Sequence, residues 1–146
     1  MNSIEVERSP IGYSLQGAGL SFSPADATTY YFGSFFGHSP VTTAGNTRIP
    51  VPKNGTIRLV TVTAHNTGGS PEAQNSTISL RLNNSTDTTI SATFDANAFT
   101  TAITTYSATV AISVVSGDFI EFKWVTPTLT TNPTGVRLSG TVYVAN

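Results

Sequence analysis

Ala111-Ile112-Ser113-Val114-Val115-Ser116-Gly117-Asp118-Phe119-Ile120-Glu121-Phe122-Lys123-Trp124 alternates apolar and polar residues on both sides of a Gly-Asp corner. Residues two apart share one face of a strand, so Ile112 and Val114 predict an inner face before the corner. Ile120, Phe122 and Trp124 predict one after it, with Glu121 and Lys123 outward. Gly117 supplies the freedom of the turn, and Asp118 is a turn residue that bonds the backbone beside it. Gly135-Val136-Arg137-Leu138-Ser139-Gly140-Thr141-Val142-Tyr143-Val144 alternates again and predicts a closing strand.

Working upstream, Tyr106, Ala108 and Val110 extend the inner face of the strand that begins near Thr104. Ser76 to Leu82 (Ile78, Leu80 and Leu82 inward) and Thr88 to Phe94 (Ile90, Ala92 and Phe94 inward) flank Asn83-Asn84-Ser85, a hairpin pattern. Thr56 to His65 follows the Lys53-Asn54-Gly55 turn, with Ile57 and Leu59 on one face and Val60 and Val62 on the other. A strand apolar on both faces needs a second cover, from a neighbouring subunit or from a loop or arm of its own chain. Tyr30-Tyr31-Phe32-Gly33-Ser34-Phe35-Phe36 carries aromatics on both faces, as a strand buried on two sides does. Pro40 to Pro52 reads as a loop with short extended pieces, because Pro50 and Pro52 exclude a central strand.

Helical periodicity is absent at usable length, apart from a single turn's worth near residues 95–101. Seven or eight short strands with turn signals between them predict an all-β, antiparallel β-sandwich with jelly-roll connections. An immunoglobulin-like sandwich is the competing arrangement. Residues 27–146 form this domain. Residues 1–26 read as an N-terminal arm that either pairs as an edge strand or docks on a neighbour, since Pro10, Gly12, Gly17, Gly19 and Pro24 punctuate them.

The 146 residues are enough for one packed domain, and the absence of cysteine excludes disulfides and thiolate metal sites. Only 10% of residues are charged and the formal net charge is −1, leaving no basic field for a phosphate backbone, so no nucleic-acid partner is expected. Twenty-five Thr and sixteen Ser take the place of charge and suit neutral, half-exposed sheet faces. Met1 to Arg8 lacks the basic start and apolar run of a signal peptide, and no stretch is long and apolar enough to predict membrane insertion.

The run Val110 to Trp124 resembles the penultimate-strand region of the C1q and tumour-necrosis-factor-like jelly rolls, and Gly135 to Val144 resembles their closing strand. Val125-Thr126-Pro127-Thr128 and Asn132-Pro133-Thr134-Gly135-Val136-Arg137-Leu138-Ser139-Gly140 look more closely like small phage head-fibre, fibre-tip or capsid-decoration domains. That resemblance implies a virion location and a homotrimer with its closing strand near the threefold axis. The interface is then expected at Val60, Val62, Arg137, Ser139, Thr141 and Tyr143. Other virion proteins would be held through the arm. No collagen-like stalk or heptad stem is present, which favours a short particle-bound trimer.

Chemistry is sparse. His38 and His65 have no carboxylate or nucleophile nearby in sequence, and Asp26, Asp87, Asp95, Asp118 and Glu121 fall in no calcium-loop pattern. No enzyme activity, cofactor or metal is expected. Asn54-Gly55-Thr56, Asn75-Ser76-Thr77 and Asn84-Ser85-Thr86 match glycan acceptors but read as polar turns. Tyr30 to Phe36 and Trp124 are better explained as core than as sugar-stacking rings. The second functional reading is an adhesin that binds host surface glycans through loops Asn66 to Gln74 and Thr126 to Thr134.

Overall fold

The computed structural model describes residues 12–33, 39–68, 74–95 and 103–146. They form nine strands: β1 (Tyr13–Phe22), β2 (Thr29–Phe32), β3 (Ile49–Pro50), β4 (Gly55–His65), β5 (Asn75–Leu82), β6 (Thr86–Asp95), β7 (Thr104–Val114), β8 (Phe119–Val125) and β9 (Val136–Ala145). One sheet has the order β1-β9-β4-β7 and the other β2-β8-β5-β6, with β3 also pairing along β8. Every named pairing is antiparallel. The chain crosses repeatedly between the sheets, which is jelly-roll-like pairing, so the predicted fold class stands.

Between the sheets lie Phe32, Ile57, Val60, Val62, Ile78, Leu80, Phe94, Ile120, Phe122, Trp124, Val142 and Val144, all essentially without solvent contact. Trp124 sits among Tyr30, Phe22 and Phe94, with ring centroids at 6.1, 5.9 and 5.5 Å. Phe122 stacks on Phe32 at 5.1 Å and brings the tip of its ring to Gly140, where a Cβ would overlap it. Gly140 is therefore a packing requirement, and it keeps a mid-strand position that a larger residue would otherwise fill.

Within the arm read over residues 1–26, the C-terminal half takes the edge-strand alternative. Tyr13–Phe22 is an integral edge strand, antiparallel to β9 from Tyr13↔Val144 to Phe22↔Val136. Its glycines serve close approach: Gly17 faces Gly140 in the ladder and packs against the Gly33 backbone. A register shift between Gly19 and Phe22 returns Phe22 to the core, 5.1 Å from the Tyr30 ring. Residues 1–11, with Ile4 and Val6, lie outside the described residues.

The two-faced reading of β4 is corrected. The register slips between Ile57 and Leu59 against both neighbours, so Arg58 and Leu59 are exposed in succession and the inward phase changes. Ile57, Val60, Val62 and Ala64 then all point into the chain's own core. Val60 and Val62 have no exposed surface for a subunit contact.

Two further expectations fail for the same kind of reason. Irregular pairing of β6 with β5 turns Ala92 out to solvent while Ile90 and Phe94 remain buried. Glu121, read as outward and solvated, is fully buried beneath the segment before β3. The helical turn near residues 95–101 falls largely on residues 96–102, outside the described residues, as does His38.

The corners are built as their residues suggest. Asn83 and Asn84 have φ of 50° and 59°, and the Ser85 N–H donates to the Leu82 carbonyl at 3.1 Å, the geometry of a type I′ hairpin turn. The Asp118 carboxylate accepts the Val115 N–H at 2.9 Å and the Asn83 side-chain amide at 2.9 Å, and these two bonds hold it below the usual aspartate range.

A neutral sheet face and a cleft at its loop end

The two sheets present unlike outer faces. On the second sheet, Asp87 accepts from Arg81 at 2.6 Å and from Lys123 at 2.5 Å, and Arg81 lies over Tyr31 at 5.9 Å. Beside them, both carboxylate oxygens of Glu121 accept the Gly45 N–H at 3.0 Å, and Oε2 accepts the Thr47 hydroxyl at 3.1 Å. This clamp fastens the segment before β3 and accounts for burial of an acid that has no salt bridge among the described residues. Nothing in the alternation of Ile120-Glu121-Phe122 could show it, because the cover comes from residues more than seventy positions away.

The outer face of the first sheet is built in ranks across β1, β9, β4 and β7. Ser14, Tyr143, Leu59 and Thr109 form one rank; Gln16, Thr141, Thr61 and Ser107 the next; Ala18, Ser139, Thr63 and Thr105 the third. None of these residues is charged. Thr61 and Ser107 share a hydrogen bond of 3.0 Å, and Thr63 and Thr105 one of 3.2 Å. Leu59 and Tyr143 stand opposite each other in register and are 42% and 41% exposed, an apolar pair at one end of a hydroxyl field.

At the other end of the face, His65 stands opposite Arg137. With Thr63, Ser139 and Ile103 they line a cleft of about 460 Å³. Arg137 also walls a second cleft of about 590 Å³ against Leu20 and Ser39. The four β9 residues expected at a trimer interface are thus divided: Thr141 and Tyr143 lie on the flat part of the face, whereas Arg137 and Ser139 line the cleft. Sequence reading missed the cleft because His65 and Arg137 are far apart in sequence and meet only through the β4–β9 register.

The loops of the adhesin reading are brought together. Thr134 N–H donates to the Gly68 carbonyl at 2.8 Å, and the Gln74 side chain accepts the Thr130 N–H at 2.8 Å while donating to the Thr128 carbonyl at 3.2 Å. Residues 69–73 of the first loop lie outside the described residues. The described parts of both loops carry no aromatic ring. Among the described residues no group of three His, Asp or Glu could hold a metal ion, and no helix is long and apolar enough to cross a membrane.

Two solved structures show a distant likeness to the chain. The cyanophage Pam1 capsid asymmetric unit contains a chain similar over 98% of this chain and 96% of its own, at 15% identity and a TM-score of 0.45. The C-terminal CBM6 of LamC, a marine laminarinase from Zobellia galactanivorans, is similar over 86% of this chain and 98% of its own, at 11% identity and a TM-score of 0.37. These likenesses are to a β-sandwich and carry no argument about function. No protein-family profile and no curated protein matches the chain.

Proposed function

We propose that this chain is a non-enzymatic structural protein of a phage virion, a trimeric jelly roll that decorates the capsid or caps a short fibre. The observation that carries the reading is the first sheet's outer face, uncharged over three ranks, with Leu59 and Tyr143 half exposed side by side. Depletion of charge with retention of an aromatic anchor is the composition of an interface core. The resemblance of residues 125–140 to phage decoration and fibre-tip domains supports the same assignment. Attachment then works by repetition, because three copies per trimer and many trimers per particle convert weak contacts into firm ones.

Native mass spectrometry at micromolar concentration tests this. The expected result is a mass of three chains that collapses to one in Leu59→Ser/Tyr143→Ser, with the circular dichroism of the fold retained. A single-chain mass for the unaltered protein overturns it.

The fastened loops at one end of the sandwich favour a second reading, a glycan-binding adhesin. Gln74→Ala removes the Gln74 contacts to Thr128 and Thr130 while the Gly68–Thr134 bridge stays and, on that reading, weakens binding to a glycan array without changing the mass of the assembly.

A further inference from the structure

We propose that the cleft between the loop ends of β4 and β9 binds the carboxylate of an acidic sugar unit, with Arg137 as its anchor. Arg137 is exposed and, among the described residues, has no hydrogen bond or ion pair. Arg81 and Lys123 are engaged by Asp87 and Arg48 by the Phe119 ring at 4.2 Å, and of the remaining described cations, Lys53, Arg58 and Arg137, Arg137 is the one that lines these two clefts. A guanidinium left free in a concave site offers two parallel N–H donors, a geometry that matches a carboxylate. His65, directly across the ladder, adds a second nitrogen-bearing side chain to the same wall, and among the described residues no acid lines either cleft.

The rest of the lining suits a sugar better than a bare anion. Thr63 and Ser139 are paired in the neighbouring rank and place two hydroxyls, each donor and acceptor, beside the guanidinium. Ile103 is 70% exposed and forms an apolar wall for the C–H face of a pyranose ring. Apolar walls with a few convergent polar groups, at a volume of about 460 Å³, describe a small-ligand site. Because Arg137 also walls the second cleft, a following sugar unit has room to continue past it.

The proposal rests on the glycan-binding reading but places the site on the β4–β9 ladder rather than on the fastened loops, and it requires the rank of Thr63 and Ser139 to stay uncovered in the assembly. Titration of the full isotope-labelled chain by NMR tests it, with methyl β-glucuronide as probe and methyl β-glucoside, sodium acetate and N-acetylglutamate amide as controls. The expected result is saturable shifts at Thr63, His65, Arg137 and Ser139 with the glucuronide. The glucoside should bind at least about tenfold more weakly, as loss of a charge-assisted bidentate contact implies. Arg137→Ala should abolish the shifts. Arg137→Lys, which keeps the charge and loses the fork, should retain part of the affinity.

Equal binding of glucuronide and glucoside, or unchanged binding by Arg137→Ala, overturns the proposal. No saturable shift with the glucuronide overturns it also. Acetate matching the glucuronide reduces the cleft to a general anion site, and tighter binding of N-acetylglutamate amide makes it a peptide site; either result removes the sugar.

Discussion

The Trp124 indole N–H donates to Ser76 Oγ at 2.7 Å, and the same hydroxyl donates to the Phe94 carbonyl at 2.6 Å. One serine of β5 thus joins the C-terminal end of β8 to the bulged end of β6 and satisfies the single polar atom of the largest core side chain. Trp124→Ala should destabilise by about 3–5 kcal/mol, the usual range for large-to-small changes in a core. Ser76→Ala, which strands a buried indole N–H, should cost about 1–3 kcal/mol. Urea denaturation followed by tryptophan emission measures both, and the native indole should be shielded from aqueous quenchers.

Glu121→Ala should loosen the segment before β3. It removes a buried acceptor shared by the Gly45 N–H and the Thr47 hydroxyl, at a cost of about 1.5–3 kcal/mol for a charge-assisted bond. Hydrogen exchange at the Gly45 amide should accelerate well beyond that of the β5 and β8 amides. Equal acceleration everywhere would mean that the clamp contributes only to global stability.

Gly140→Ala should cost about 1–3 kcal/mol by overpacking, because the added methyl would enter the space of the Phe122 ring. The near-ultraviolet circular dichroism of the aromatic cluster should change with it. A neutral outcome would show that the stacked Phe32 and Phe122 rings can shift together.

Asp87 gives the chain an acid-sensitive contact. Burial acts to raise its pKa, but the hydrogen bonds from Lys123 and Arg81 outweigh it and hold the folded value below the ordinary 3.8. A carboxylate lowered by folding stabilises the protein above its unfolded pKa, and that contribution disappears as pH falls through the folded one. Melting temperature should therefore drop below about pH 4, and Asp87→Asn should flatten part of that drop while lowering stability at neutral pH.

Truncation separates the strand from what precedes it. Removing residues 1–22 deletes β1, uncovers the β9 edge and exposes the core around Leu15 and Phe22, so the remainder should aggregate or melt at a much lower temperature. Removal of residues 1–11 alone leaves the β1–β9 ladder complete and should preserve the melting temperature. Thermal melts of the two truncations distinguish these outcomes.

The elements with unbroken alternation were legible in the chain itself. Tyr106, Ala108, Val110 and Ile112 line one side of β7, and Ile120, Phe122 and Trp124 are buried together, because a period of two survives wherever a ladder is regular. Legibility failed where the ladder slips. The irregularity at Arg58 and Leu59 made Val60 and Val62 look like a second apolar face, and irregular pairing in β6 exposed Ala92. Gly17 and Gly19 looked like breaks because what they accommodate, the Gly33 backbone and the Pro40 ring, comes from later in the chain. The cleft at His65 and Arg137 was hidden for a related reason: only strand register brings those two together, and the residue pattern does not encode register by itself.

The cross-strand hydroxyl pairs Thr61–Ser107 and Thr63–Thr105 change what it costs to dry the first sheet's outer face. Hydroxyls that already bond each other have fewer water contacts to surrender, so a surface polar by composition behaves closer to an apolar one when a neighbour approaches. With no charge in its three ranks, contacts made there should respond weakly to ionic strength. Dissolved salt would then act on the opposite side of the sandwich, at Arg81, Asp87 and Lys123, and leave the hydroxyl face nearly untouched.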